Sequence, residues 1–575
     1  MTQEERYKIT SNDYFDIFIL YQGNTALLAP YQNNSVHIMN DRFAIAYIPV
    51  SQISSNTIAQ LGYAAIPSCY GLTVQESLEA SGITKLRRIP NFNLKGKGVL
   101  IAIIDTGIDY TNPIFQNADG TSRIVSIWDQ TIDSENQFPE GTYFGTVYNT
   151  DQINQALKSQ NPYDIVPSKD ENGHGTMLAG VAAGSEDSKN DFSGVAPDAE
   201  LVVVKLKQAK APLMDFFAIP NNVPCYQEND IMWAVQYVIS VARNLKSPIA
   251  ICIGLGSSQG SHDGRGSLSS LLSVSGDFPG VVVCISAGNE GNTRRHFYAA
   301  IDPAIGNSTV ELNVGENEHG FSMELWGTSP DVYTIDILSP SGEYIPRIAE
   351  SLRANREISF VFENTTIFVD YIMVESQSGE QLILLRFKNP TAGIWRFQVY
   401  SRGDLPASFH IWLPSGDFIS RGTYFIQPNP YTTITSPGNG QIPITITAYN
   451  PENDTLYQGA SRGYTRINTV KPEIAAPGMN ILGPTLNKTY TTFTGTSVAA
   501  AHTAGISAML LEWAIVNGNY PGVDSAEVKK FFIRGARRSA NIQYPNRDWG
   551  YGILDIFDVF DILREDIRTR RPFIS

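Results

Sequence analysis

Four short apolar runs constrain this chain most: VLIAIID (99–105), ELVVVKL (200–206), PIAICIG (248–254) and GVVVCIS (280–286). Runs this short, apolar on both faces and rich in Val and Ile, read as strands buried on both sides. Glycine turns and helical stretches separate them, which predicts a doubly wound parallel α/β sheet from about residue 95 to 305. The same pattern resumes at PITITAYN (443–450), followed by a long helix-like run from about 497 to 516 and another near 525–535.

Two stretches break the pattern. Residues 1–75 carry strand-like DIFILYQ (16–22) and FAIAYIP (43–49), a short helical SSNTIAQLG (54–62) and the extended AAIPSCYG (64–71), an order that suits a small α+β domain. Residues 306–432 alternate apolar and polar positions with turns about every ten residues, which predicts an inserted β-sandwich of jelly-roll size. At about 100–200 residues per domain, 575 residues therefore divide into 1–75, 76–305, 306–432 and 433–575, the second and fourth being parts of one α/β body.

Composition removes several classes. The 42 Lys and Arg against 57 Asp and Glu give a net charge of −15, with 42% hydrophobic residues, which argues against a nucleic-acid partner and against disorder. The N-terminus lacks the basic start and apolar run of a secretion signal, and no stretch reads as an uninterrupted membrane span, so neither export nor a membrane span is expected. Four cysteines without a C-x-x-C pair read as reduced and structural, and neither a cofactor nor a metal site is expected.

Three segments join reactive residues to tight glycine turns: IIDTGIDY around Asp105, NGHGTMLAG around His174 and GTSVAAAHTAG around Ser497. Acyl transfer by serine needs a hydroxyl nucleophile, a neutral imidazole to take its proton, and a buried carboxylate to fix the imidazole tautomer. The chain order Asp, His, Ser separates this set from the chymotrypsin and α/β-hydrolase versions. In SAGNEGN (286–292), Asn289 follows a predicted strand and offers a side-chain amide. That amide and the backbone N–H of Ser497 would form an oxyanion hole. Asp109 braces the same turn as Asp105. His502 reads as a packing or helix-surface histidine outside the site, and His262 with Asp263 as part of a solvated loop.

Through DTGID, HGT, AGNEG and GTS in this order, with GVAPDAELVVVKL (194–206) and KPEIAAPG (471–478), the sequence resembles the subtilisin-like serine protease family over roughly 95–305 and 432–560. The resemblance implies a subtilisin-like α/β fold, Asp105 as orienting carboxylate, His174 as general base, Ser497 as nucleophile and Asn289 as oxyanion donor. It further implies that Gly254, Leu255 and Gly256 line the substrate cleft, with Ser286, Ala287 and Gly288 as the opposite wall of the first specificity pocket. Val498 and Ala501 stand where the family commonly has Met and Pro, and neither change removes a reacting group.

More narrowly, the unit at 1–75, the β-insertion and the ending YPNRDWGYGILDIFDVF resemble the clostridial Csp germination proteases. This implies a serine endopeptidase acting on a protein or peptide, by limited proteolysis of a spore-cortex hydrolase zymogen, in a cytoplasmic or spore-associated setting. A pseudoprotease-like binding protein and a general turnover protease are the alternatives. It also implies that 1–75 is a propeptide, cut by Ser497 between Tyr70 and Glu76 and retained without a covalent link. Gln75 is the expected acyl-side residue, because Leu72–Gln75 reads as an extended tail that a cleft would hold as an added strand, while ESLEASGI (76–83) begins a helix-like pattern.

Overall fold

The structure, a computed structural model, describes residues 3–31, 34–54, 56–72, 81–83, 92–349, 352–403 and 405–569. In the N-terminal unit, helix α1 (Gln3–Thr10) precedes a three-stranded antiparallel sheet of β1 (Tyr14–Leu20), β2 (Ser35–Ile38) and β3 (Phe43–Pro49), ordered β1-β3-β2. Helix α2 (Thr57–Leu61) leads to the short strand β4 (Cys69–Leu72). Both faces of β1 are buried, because Phe15, Ile17 and Ile19 enter one core and Phe18 another. Asp16, between them, is also buried, and accepts from Lys210, from Gln227 Nε2 at 2.9 Å and from Asn229 Nδ2 at 2.8 Å. The unit is thus bolted to the body by a carboxylate as well as by apolar packing.

The body holds a nine-stranded sheet. Its first members are β5 (Leu100–Asp105), β6 (Ile124–Asp129), β7 (Thr146–Asn149) and β8 (Glu200–Lys205). Helix α3 (His174–Ala183) lies between β7 and β8. After β9 (Tyr226–Gln227), helix α4 (Glu228–Leu245) returns the chain to β10 (Ile249–Ile253), β11 (Leu255–Gly256) and β12 (Val281–Ser286). The sheet closes with β13 (Ile444–Asn450), Thr455–Leu456 and β14 (Ile474–Pro477).

From one edge the order is Thr455–Leu456, β13, β12, β10, β5, β8, β6, β7, with β14 also on β13. The pairs from β13 to β6 are all parallel, in registers such as Cys252↔Cys284 and Ala102↔Val202. This is the doubly wound sheet that the apolar runs predict. The C-terminal ends of β5, β10 and β12 fall together at one edge, where open α/β sheets carry their ligands.

Helix α5 (Thr496–Leu511) packs against this sheet with every residue buried. With its continuation to Val516 it is long and apolar enough to cross a membrane by length and composition, although Thr, Ser, His and Glu interrupt its apolar run. In the fold 89% of its most apolar window is buried inside the protein, which makes it a core helix.

The antiparallel region begins at His296–Ile301, ahead of the expected boundary at 306, and its last strand is Tyr424–Phe425. In sequence this first strand, HFYAAI, does not alternate apolar with polar residues. A six-stranded and a five-stranded antiparallel sheet enclose one core that includes Leu325, Phe387, Trp395, Phe397 and Phe409. On the other side of the larger sheet, Trp326, Leu382, Leu384 and Trp412 share a core with Phe15 and Ile17 of β1 and with Leu213 and Phe217 of the body. The N-terminal unit, the body and the β unit therefore meet in one apolar cluster.

Candidate active site

Asp105 is the last residue of β5, His174 the first of α3 and Ser497 the second of α5. Gly173, with φ of 92°, makes the left-handed turn that starts α3 at the histidine. His174 Nδ1 lies 2.7 Å from Asp105 Oδ1, and Nε2 lies 3.2 Å from Ser497 Oγ. An ionised carboxylate only accepts, so Nδ1 carries the proton and Nε2 turns its lone pair to the serine hydroxyl. All three side chains are buried. Asp105 Oδ1 also accepts from the Thr106 N–H at 2.8 Å, which fixes the carboxylate plane.

Behind this line stands a polar network that the sequence reading did not single out. Asp170 Oδ1 accepts from the Thr106 hydroxyl at 2.9 Å and the Gly173 N–H at 2.8 Å. Its Oδ2 accepts from the Thr176 N–H at 2.9 Å and hydroxyl at 2.7 Å. The Gly175 N–H in turn donates to Thr106 Oγ1 at 2.9 Å, tying the turn after Asp105 to the helix that carries His174. An Asp four residues before the histidine, at the entry to a helix, is the available signal for this cap. Asp109 does brace its turn, accepting from the Thr111 hydroxyl at 2.7 Å.

Gly254 lies under the reacting pair. A Cβ there would stand 3.1 Å from both His174 Cε1 and Ser497 Cβ and 2.8 Å from Leu178 Cδ1. Asn289 is half-buried beside the N-terminus of α5, and its Oδ1 accepts from the Thr496 N–H and hydroxyl. Between the segments Gly254–Leu255–Gly256 and Ser286–Ala287–Gly288 stands Thr435, a residue absent from the sequence reading. A Cβ at Gly256 would come within 2.3 Å of Thr435 Oγ1, and one at Gly288 within 2.6 Å. A cavity of about 470 Å³ opens beside Gly256, Asn289, Glu290 and Thr435.

A strand lies alongside Leu255 and Gly256. β4 pairs antiparallel with β11, Gly71 facing Gly256 and Leu72 facing Leu255, and on its other side with β9, Tyr70 facing Tyr226. Tyr70 is fully buried, and the Cys69 N–H donates to Gln259 Oε1 at 2.7 Å. Gln75 lies outside the described residues.

Of two histidines outside the site, His262 differs from expectation. His262 and Asp263 are buried rather than solvated: the His262 ring stacks on Trp412 at 4.0 Å and its nitrogens face the Ile434 and Ser258 carbonyls, because the β unit covers this loop. His502 is fully buried, its Nε2 2.8 Å from Ser81 Oγ, and burial lowers its pKa to about 3. It is a neutral packing residue. The four cysteines are free and buried.

The pattern of the subtilase family matches residues 96–316 and 419–552, more than half of the chain. Among solved structures, the CspB protease of Clostridium perfringens superposes with a TM-score of 0.75 at 29% identity, covering 86% of this chain and 99% of that one. The serine protease AprX of Bacillus subtilis is 30% identical over 203 residues, 34% of each chain. A C5a peptidase of Streptococcus pyogenes is 24% identical over 492 residues, 80% of this chain and 39% of its own. The match thus spans well under half the length of either curated relative. The chain belongs to the subtilase family of subtilisin-like serine peptidases.

Proposed function

We propose that the protein is a serine endopeptidase working through Asp105, His174 and Ser497. The observation that carries this reading is the unbroken line Asp105 Oδ1, His174 Nδ1, His174 Nε2, Ser497 Oγ, at 2.7 and 3.2 Å. Ser497 Oγ attacks the scissile carbonyl while its proton passes to Nε2. Asn289 and the Ser497 N–H take the charge on the carbonyl oxygen. Collapse breaks the C–N bond, and the leaving amine takes the proton from Nε2. Water then repeats the sequence on the acyl-enzyme, and Asp105 stabilises the imidazolium in both halves.

The N-terminal unit is, in this reading, a propeptide that the enzyme cuts itself. β4 lies in the substrate lane as a central strand, the way a cleft of edge strands holds a peptide. We place the cut between Tyr70 and Glu76, with Gln75 as the acyl-side residue. The buried Asp16 anchor and the shared core would keep the severed unit bound. The β unit is taken as the jelly-roll insertion that braces both. The likeness to the C. perfringens CspB protease supports a limited-proteolysis role of the Csp kind, activation of a spore-cortex hydrolase zymogen.

The test is the wild-type chain beside Ser497→Ala, purified identically. Wild type is expected as two bands on a denaturing gel that elute as one species, with a new N-terminus at Glu76. Ser497→Ala is expected as one intact chain, and processing of that variant would refute self-cleavage.

A further inference from the structure

The lane that holds β4 has a third side, and it comes from the inserted β unit. The turn Gly416–Phe418 sits over β4: a Cβ at Gly71 would lie 3.4 Å from Phe418 Cζ and 3.7 Å from Cε1. Gly71 is not among the glycines with positive φ, so its backbone suits any residue. The first atoms that a side chain at this position would meet are those of the ring, at the border of the cavity of about 470 Å³ that Gly71 also lines.

The ring has little room to retreat. Phe418 is 5% exposed and packs in the cluster that joins the three units. Its turn is clamped from the wall that carries Asn289: the Gly416 N–H donates to Glu290 Oε1 at 2.9 Å, and Arg295 Nη2 donates to the Ile419 carbonyl at 3.2 Å. Tight interiors resist added volume, so an ordinary contact for one carbon becomes an overlap for the next.

We propose that Phe418 is a specificity-determining residue, which admits glycine and alanine at the substrate position facing Gly256 and excludes larger side chains there. The favoured substrate is an extended protein segment with glycine or alanine at that register, ahead of the scissile bond. This rests on the endopeptidase reading above, since substrate is taken to follow the lane of β4.

The experiment follows self-processing of the full chain with Gly, Ala or Leu at position 71, each with Phe418 intact, with Phe418→Ala and with the milder Phe418→Leu, read as the rate at which two bands appear on a denaturing gel. A fluorophosphonate probe reports reactive serine in each preparation. Gly71→Leu is expected to slow processing at least about tenfold and Gly71→Ala to leave it near that of wild type. In both Phe418 backgrounds the slowing by Gly71→Leu is expected to fall toward none. Absence of both labelling and processing in wild type would defeat the endopeptidase reading itself. Normal processing of wild type with equal processing of Gly71→Leu, or a slowing that persists in both Phe418 backgrounds, would overturn the role of Phe418 alone.

Discussion

Thr496 holds Asn289 through two bonds to one atom: its N–H at 3.3 Å and its hydroxyl at 3.1 Å both end on Asn289 Oδ1. With that oxygen engaged, the amide NH2 is the donor available to a substrate oxyanion. Asn289→Ala is expected to fold and to lose about 10²–10³-fold in kcat, roughly 3–4 kcal/mol, with little change in KM. Thr496→Val keeps the N–H bond and loses the hydroxyl, so a smaller fall of about tenfold is expected. Steady-state kinetics on one peptide reads both, and a wild-type kcat in Asn289→Ala would remove Asn289 from the site.

Gly254 keeps the reacting pair together by having no side chain. Gly254→Ala would press on His174 and Ser497, each 3.1 Å from the added carbon. A displacement of about 1 Å at such a site costs about 10²-fold in rate. The variant is expected to lose at least that in kcat while keeping its thermal midpoint. Full activity would mean that the hydrogen-bonded line tolerates the added methyl.

Glu324 of the β unit joins three parts of the chain. Its carboxylate accepts from the Tyr63 hydroxyl at 2.6 Å, the Gly260 N–H at 2.9 Å and Trp326 Nε1 at 3.0 Å, and burial raises its pKa. Glu324→Ala strands these donors at about 1–3 kcal/mol each. A lower thermal midpoint is expected and, where the proposed cut has been made, easier release of the N-terminal unit on gel filtration. An unchanged midpoint would show the β unit to be a separate module.

Lys471 gives a pH signature. It is fully buried, with Nζ on the Pro443 carbonyl at 2.9 Å, Thr445 Oγ1 at 3.1 Å and Glu473 at 2.7 Å, while Lys529 shares Glu473. Burial pulls its pKa from 10.5 to about 8. Between those values the unfolded chain holds a proton that the folded protein lacks, so this group's contribution to stability rises with pH across the window and is flat outside it. Denaturant unfolding at pH 8 and pH 10 is expected to show that rise in wild type and to show it reduced in Lys471→Met. Identical pH dependence in both would contradict it.

The parallel sheet was legible because strands buried on both faces must be apolar throughout, as in Leu100–Asp105 and Val281–Ser286. The segments of Asp105 and His174 were legible because each holds a glycine in a conformation few other residues allow, Gly107 with φ of 115° and Gly173 with φ of 92°. Contacts between distant segments left no such mark. The loop of His262 and Asp263 has the composition of a solvated turn and is buried only because Trp412 covers it. Thr435 is one threonine among several, yet the fold sets it between the walls at Gly256 and Gly288. Asp170 carries no mark of its own in the sequence because its partners, Thr106 and Thr176, are ordinary until the chain brings them together.

The most direct measurement is covalent labelling by a fluorophosphonate probe, mapped by mass spectrometry, in wild type, His174→Ala and Ser497→Ala. The account predicts one adduct on Ser497 in wild type, much slower labelling in His174→Ala, and none in Ser497→Ala. An adduct on another residue, equal labelling of Ser497→Ala, or no labelling of the folded wild type would contradict Ser497 as the activated nucleophile.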